Sequence, residues 1–169
     1  MLKTLSDLVD IAKGKNIRRL AVAAAEDKAV LEAVKDAHQE KIILPVLVGD
    51  QEKIESMAKE VGLDLANAEI VDNKNGSSES ARIAVSLIRE GKSDVLMKGM
   101  VSTGPLLKAV LDKENGLRKG GTLSHVAFFE SQYYHKLLGV TDAAMNVAPE
   151  FEEKVQIGRA SCRERVYTK

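Results

Sequence analysis

The sequence contains no tryptophan, and aromatic residues make up only 4% of it. A core without large rings must be filled by aliphatic side chains. Ala, Val, Leu and Ile dominate here, as expected where helices pack on a buried parallel sheet. A surplus of charge is missing too, since Lys plus Arg and Asp plus Glu are each 25. With no excess of positive charge to release counterions from a nucleic-acid backbone, a polynucleotide partner is argued against. No apolar run approaches the roughly 20 residues that span a bilayer. The opening MLKTLSDLVD carries acids where a signal peptide needs an unbroken apolar stretch. A cytoplasmic protein with no membrane partner is expected.

Cysteine is the other shortage. The single Cys162 falls in Ile157–Lys169, IGRASCRERVYTK, which concentrates Arg159, Arg163 and Arg165 and breaks the style of everything before it. This stretch resembles a translated sequencing-adapter read-through. It is read as a non-native tail and kept out of fold reasoning, a short basic tail being the alternative. Residues 1–156 are then mildly acidic and contain no thiol, which removes Cys nucleophiles, disulfides and thiolate metal sites from any mechanism within them. The abrupt tail implies truncation, with a native chain continuing beyond Gln156.

At 169 residues with 44% hydrophobic content, one compact domain is the default. Helical periodicity alternates with short β-branched runs through residues 1–156, the signature of a βαβ series. An opening helix is expected with Ser6 as N-cap and Gly14 past its end. Strand Leu20–Ala24 leads to a helix from about Asp27 with Val30, Leu31, Val34 and Ala37 on one face. Strand Ile42–Val48 contains Pro45, which favours an edge or irregular position. Gly49-Asp50 caps a helix ending at Gly62. A short strand Glu69–Val71 precedes a helix N-capped by Ser77 or Ser78 and ended by Gly91. Strand Asp94–Met97 turns through Lys98-Gly99 into a helix carrying Leu106, Leu107, Val110 and Leu111. Ser124–Phe129 and Lys136–Val140 fit an antiparallel ribbon, and Pro149 suits the first turn of a helix from Glu150. The fold class is α/β, a three-layer arrangement of a mixed, mostly parallel sheet with helices on both faces.

In such sheets ligands bind outside the carboxyl ends of the strands, where helix N-termini present free N–H groups. One loop in that position is DVLMKGMVSTGP, Asp94–Pro105. It offers Lys98 as a full charge, Gly99 for close backbone approach, the hydroxyls of Ser102 and Thr103, and the positive end of a helix dipole. The alternative is a solvated Lys98 and a Thr103 that is only an N-cap. Neither a P-loop nor a dinucleotide-binding spacing is present. A second loop, GLRKGGTLSH, places Arg118 and Lys119 on a Gly-rich stretch suited to an anion, or simply on a basic surface loop. His125 opens an apolar strand, where a satisfied core histidine is the ordinary reading.

The runs VLMKGMVSTGPLLKAVLDKENGLRKGGTLSHVAFFE, KLLGVTDAAMNVAPEFEEKV and RRLAVAAAEDKAVLEAV resemble the N-terminal domain of the phosphate acetyl/butyryltransferase family, over roughly residues 1–156. The LSH and TDAAMNVAP forms are more similar to the butyryl branch than to the acetyl branch, where the first more often reads SR. The resemblance implies one of two α/β domains of isocitrate/isopropylmalate dehydrogenase-like architecture, with the active site in the cleft between them. It implies transfer of a short acyl group, butyryl or acetyl, between coenzyme A and inorganic phosphate. Acyl-CoA, acyl phosphate and phosphate are then the partners, with no covalently bound cofactor and a homo-oligomer in the full-length family. Matching positions put Lys98, Gly99, Ser102 and Thr103 on the phosphate-side loop, and Ser124 and His125 on the neighbouring strand as catalytic residues. Asp142 and Asn146 fall on a DxAxN turn facing the cleft. Asp142 reads either as organiser of its own turn, the favoured role, or as a substrate contact.

The reaction needs a cradle for phosphate and donors aimed at a carbonyl oxygen as it becomes anionic. It needs no acyl-enzyme, so the missing thiol is no obstacle. His125 in place of arginine weakens the case for a permanent bidentate grip on phosphate. Two other readings stand beside this one. A metal- and nicotinamide-dependent decarboxylating dehydrogenase would need a carboxylate cluster for a divalent cation, and no metal site is expected here. The domain would otherwise be a non-catalytic binding or oligomerisation module. In the family the second domain supplies further cleft residues, including the acid pictured as base for the thiol. The purified chain is therefore expected to show little or no transferase activity, and turnover of butyryl-CoA with phosphate would overturn that expectation.

Overall fold

The computed structural model describes residues 2–118 and 120–166, with 162–166 described as backbone only. Lys119, expected beside Arg118 on the basic loop, lies outside the described residues, as do Tyr167, Thr168 and Lys169 of the tail. The chain forms two compact units: Lys15–Arg118, and a second that joins the residues before Lys15 to those after Arg118.

The chain opens with α1 (Leu5–Lys13) in the second unit. Thr4, not Ser6, is its N-cap. Thr4 Oγ1 accepts the Asp7 N–H at 3.1 Å and the Asp7 carboxylate takes the Thr4 N–H at 3.1 Å. This reciprocal box satisfies two orphan donors where Ser6 would satisfy one, so the helix starts earlier.

The larger unit runs β1 (Arg18–Ala23), α2 (Lys28–Gln39), β2 (Ile43–Gly49), α3 (Gln51–Val61), β3 (Glu69–Asp72), α4 (Ser77–Arg89), β4 (Val95–Lys98) and α5 (Thr103–Val110). Its four strands are all parallel, in the order β3-β2-β1-β4. On one face Leu31 and Val34 of α2 and Ile54 and Ala58 of α3 pack on Leu20, Val22 and Leu47. On the other, Ala81, Ala84 and Val85 of α4 and Ala109 of α5 pack on Ala21, Ala23, Val46 and Val48. This is the expected three-layer sandwich, with the chain stepping from β1 to β3 in one direction and returning to place β4 on the opposite side of β1.

Pro45, expected at an edge or an irregular position, lies in an interior strand. The ladder to β3 begins only at Val46↔Glu69, so the missing N–H of Pro45 interrupts no bond there. The N-cap of α4 is Gly76, with no side-chain capping bond, rather than Ser77 or Ser78. The turn before it is organised instead by Asn73, only 6% exposed. The Asn73 amide donates to Gly76 O at 3.0 Å and to Ser80 Oγ at 2.8 Å, while its oxygen accepts the Asn75 N–H at 3.0 Å.

In the second unit β5 (Val126–Ser131) and β6 (Tyr134–Thr141) pair antiparallel as a separate two-stranded sheet, followed by α6 (Phe151–Val166). The α1 end is tied to β5 by a bond from Leu5 N–H to the Glu130 carboxylate. The α6 helix continues without a break across Ile157, whose side chain is buried.

Leu31 is fully buried between α2 and the sheet. Leu31→Ala should lower the unfolding free energy by about 2–5 kcal/mol, by lost transfer energy plus a residual cavity. A urea denaturation midpoint indistinguishable from that of the parent would refute this packing.

Candidate functional site

The topology reverses at the β1/β4 boundary, and the crevice at the carboxyl ends of those strands is where open α/β sheets bind ligands. The loop from β4 into α5 sits there, and its backbone is fixed step by step. Gly99 N–H donates to Ala23 O at 2.9 Å and Met100 N–H to Ala24 O at 2.8 Å. A Cβ on Gly99 would lie 2.7 Å from Ala23 O and closer still to Ala24 O, so only glycine fits. Val101 is 1% exposed and joins the α4/α5 side of the core, whereas Met100 is 59% exposed.

Ser102 is the N-cap of α5, with φ −69° and ψ 153°, and its hydroxyl makes no capping bond. Thr103 is the first helical residue rather than the cap. Both side chains are exposed. At the start of α5 the Thr103 and Gly104 N–H groups have no partner within the helix, Pro105 supplying none, and they lie beside two exposed hydroxyls at the positive end of the helix dipole. The Lys98 ammonium donates to Gly99 O at 3.3 Å, and among the described residues no carboxylate pairs with it. Such a loop has the donors and charge to hold a phosphate-class anion.

Arg118, the last residue of this unit, is exposed, and among the described residues no hydrogen bond joins it to that loop. The chain leading to it is ordered. Asp112 accepts the Glu114 and Asn115 N–H groups at 3.0 and 2.7 Å, which holds its carboxyl below the usual range, and Leu117 N–H returns to Val110 O at 2.8 Å.

Ser124, His125, Asp142 and Asn146 belong to the second unit, where hydrogen bonds tie the segment before β5, with Ser124 half-buried in it, to the turn after β6. The Thr141 hydroxyl donates to His125 O at 2.7 Å. The Asn146 amide donates to Leu123 O at 2.9 Å and to the Asp142 carboxylate. The other Asp142 oxygen accepts the Ala144 and Met145 N–H groups at 3.2 and 3.0 Å. The Thr141–Asp142 peptide is cis. His125 is exposed, which corrects the reading of a core histidine: the strand it precedes belongs to a separate two-stranded ribbon and not to the buried parallel sheet.

Burial of Asp142 acts to raise its pKa. The Met145 and Ala144 N–H groups, the Asn146 amide and the His125 N–H outweigh that and hold it at about 2, against an ordinary 3.8.

Two features at the carboxyl edge went unnoticed in the sequence. One is the pair of carbonyls that anchor the loop, on Ala23 at the end of β1 and on Ala24 just past it. The other is Glu26, one of whose carboxylate oxygens is buried over Gly49 and meets no donor among the described residues. Neither carries a sequence signal beyond its place after a strand. Among the described residues no three His, Cys, Asp or Glu side chains gather to hold a metal ion, and no helix is long and apolar enough to cross a membrane.

A three-layer parallel α/β fold with an anion-competent loop at its switch point narrows the class. A family model described as phosphate acetyl/butaryl transferase matches residues 3–81 and 74–165, and the chain belongs to that family. It is 44% identical to a phosphate butyryltransferase of Clostridium acetobutylicum over 93% of this chain and 52% of the relative. It is 39% identical to a phosphate acetyltransferase of Thermotoga maritima over 90% and 51%. The chain thus spans about half the length of the curated relatives it matches. Among solved structures, a branched-chain phosphotransacylase from Enterococcus faecalis superimposes with a TM-score of 0.64 at 26% identity, covering 85% of this chain and 48% of that one. A phosphotransacetylase from Streptococcus pyogenes gives 0.74 at 15% identity over 92% and 56%, a likeness of fold.

The depressed Asp142 carboxyl has a testable sign. Its turn gains stability from ionisation that is complete above the unfolded value near 3.8 and is lost as pH falls through about 2. The Ala144 and Met145 amide resonances should titrate with a midpoint near 2. A midpoint near 3.8 would mean that the fan of bonds does not form.

Proposed function

We propose that this chain is the phosphate-side portion of a phosphate acyltransferase that moves a short acyl group, butyryl in the first instance, between coenzyme A and inorganic phosphate. The observation that carries the reading is the 44% identity to a phosphate butyryltransferase along 93% of the chain. In one direction a phosphate oxygen attacks the thioester carbonyl, the C–S bond breaks and coenzyme A leaves as the thiolate. In the other the thiolate attacks an acyl phosphate and the C–O bond to phosphate breaks.

On this reading the chain's own residues bind and orient. Lys98 and the N–H groups at the start of α5 oppose the phosphate charge, and the Ser102 and Thr103 hydroxyls fix its rotation. Ser124 and His125 act at the acyl group, His125 donating a single hydrogen bond to the carbonyl oxygen as charge develops on it. Asp142 and Asn146 hold the segment carrying them. Arg118 supplies a further cation for the anionic substrates. The residues beyond this chain's matched half supply the remaining wall and the base for the thiol, and the full-length protein works as a homo-oligomer in the cytoplasm. Acetyl transfer is the second reading, favoured by the 39% identity to a phosphate acetyltransferase.

Phosphate, acetyl phosphate and coenzyme A titrated separately into the purified chain should give at least weak binding of the phosphate class. Lys98→Ala should weaken it about tenfold, the scale of losing one charge-assisted hydrogen bond, whereas Lys59→Ala on exposed α3 should not. Equal loss in both variants would sink the assignment. No phosphate-class binding at all would favour a non-catalytic module.

A further inference from the structure

Along β1 the side chains alternate as a strand requires, with Leu20 and Val22 toward α2 and α3, and Ala21 and Ala23 toward α4 and α5. At Ala24 the alternation stops. Ala24 joins Ala23 on the α4/α5 side, and Ala25 goes to the other. The cause is its backbone: Ala24 is fully buried with φ 58°, a left-handed conformation that a residue with a Cβ adopts reluctantly.

That conformation has a consequence for β4. In an extended strand successive carbonyls point to opposite sides, so two in a row cannot bond the same neighbour. Here Ala23 O and Ala24 O both accept from the β4 side, taking the consecutive Gly99 and Met100 N–H groups, while Ala25 N–H reaches Val48 O at 3.1 Å on the β2 side. Only a residue out of the extended region permits this pair. The loop is thereby held one residue past the ladder, just before Val101 enters the core. Backbone outliers of this kind persist where the surrounding structure over-determines them.

We propose that Ala24 is a positioning residue for the phosphate loop, its left-handed conformation turning its own carbonyl, just past β1, onto Met100 and so setting where Lys98, Ser102 and Thr103 stand over the carboxyl edge. This rests on the phosphate-binding reading of that loop. Alanine is compatible with the role, because its methyl packs in the same cluster as Val101.

The experiment compares the purified wild-type chain with Ala24→Gly and Ala24→Val, using thermal melting, amide hydrogen exchange by NMR, and titration with inorganic phosphate. In the wild type, Met100 N–H should exchange as slowly as the neighbouring Gly99 N–H. Ala24→Gly, free to adopt the same backbone, should keep that protection and the phosphate affinity. Ala24→Val, whose branched side chain disfavours the left-handed region, should free Met100 N–H while Ala21 and Val22 stay protected. Its phosphate affinity should fall about tenfold, the scale of losing one charge-assisted hydrogen bond. A wild-type Met100 amide exchanging as fast as that of Ser102 would overturn the role with no variant needed. Phosphate binding that is lost in Lys98→Ala but kept in folded Ala24→Val would overturn the role alone. A wild type that binds no phosphate overturns the reading of the loop, and this role with it.

Discussion

Strand β1 is paired on both sides and covered on both faces, and the size of its side chains is what permits that. Ala21, Val22 and Ala23 have no exposed surface, and the α4 face that meets this side of the sheet is itself built of Ala81 and Ala84. Small side chains on both surfaces let the helix approach closely, where rings would hold it off. The absence of tryptophan and the low aromatic content are thus part of the packing solution. The β1/β4 ladder, and not side-chain size, brings the Ala23 and Ala24 carbonyls to the loop after β4, while the small side chains let α4 and α5 close over that edge.

The second unit is held by different means. A two-stranded ribbon alone is marginal, and this one leaves Phe129, Leu138 and Val140 exposed along one face. Its ends are fixed by polar bonds: the Asp142 fan, the Asn146 amide, and the Thr141 hydroxyl on the segment before β5. One unit therefore draws its order from apolar burial and the other from a few directed hydrogen bonds. The candidate site residues are divided between two kinds of support.

Periodicity made α2 and α3 legible because each carries an apolar stripe and an Asp cap, Asp27 and Asp50, at the expected place. The misjudged points are those where two signals compete. Ser6 lost to Thr4 because a reciprocal box outweighs a single cap, and Pro45 was acceptable inside the sheet because β3 begins one residue later. The loop after β4 was readable as a helix N-terminus from its place between a strand and an apolar helical stripe, whereas its lysine, glycine and two hydroxyls also fit an ordinary capped surface loop. Ala24 was not readable, because alanine carries no signal for a left-handed conformation as glycine or asparagine would. Nor does any local pattern show that Lys98 and His125 belong to different compact units, since that division depends on contacts far apart in the chain.

The buried pair Asn73 and Ser80 has a further bearing on α4. A helix face of alanines against a sheet of alanines and valines is smooth, and such surfaces tolerate sliding and rotation with little change in buried area. The Asn73 amide reaching both Gly76 O and Ser80 Oγ converts that freedom into a single setting. A shift of one residue along the helix would leave a buried amide and a buried hydroxyl without partners. The pair acts as an indexing pin, fixing the angular position of a helix that its own apolar surface would leave undecided.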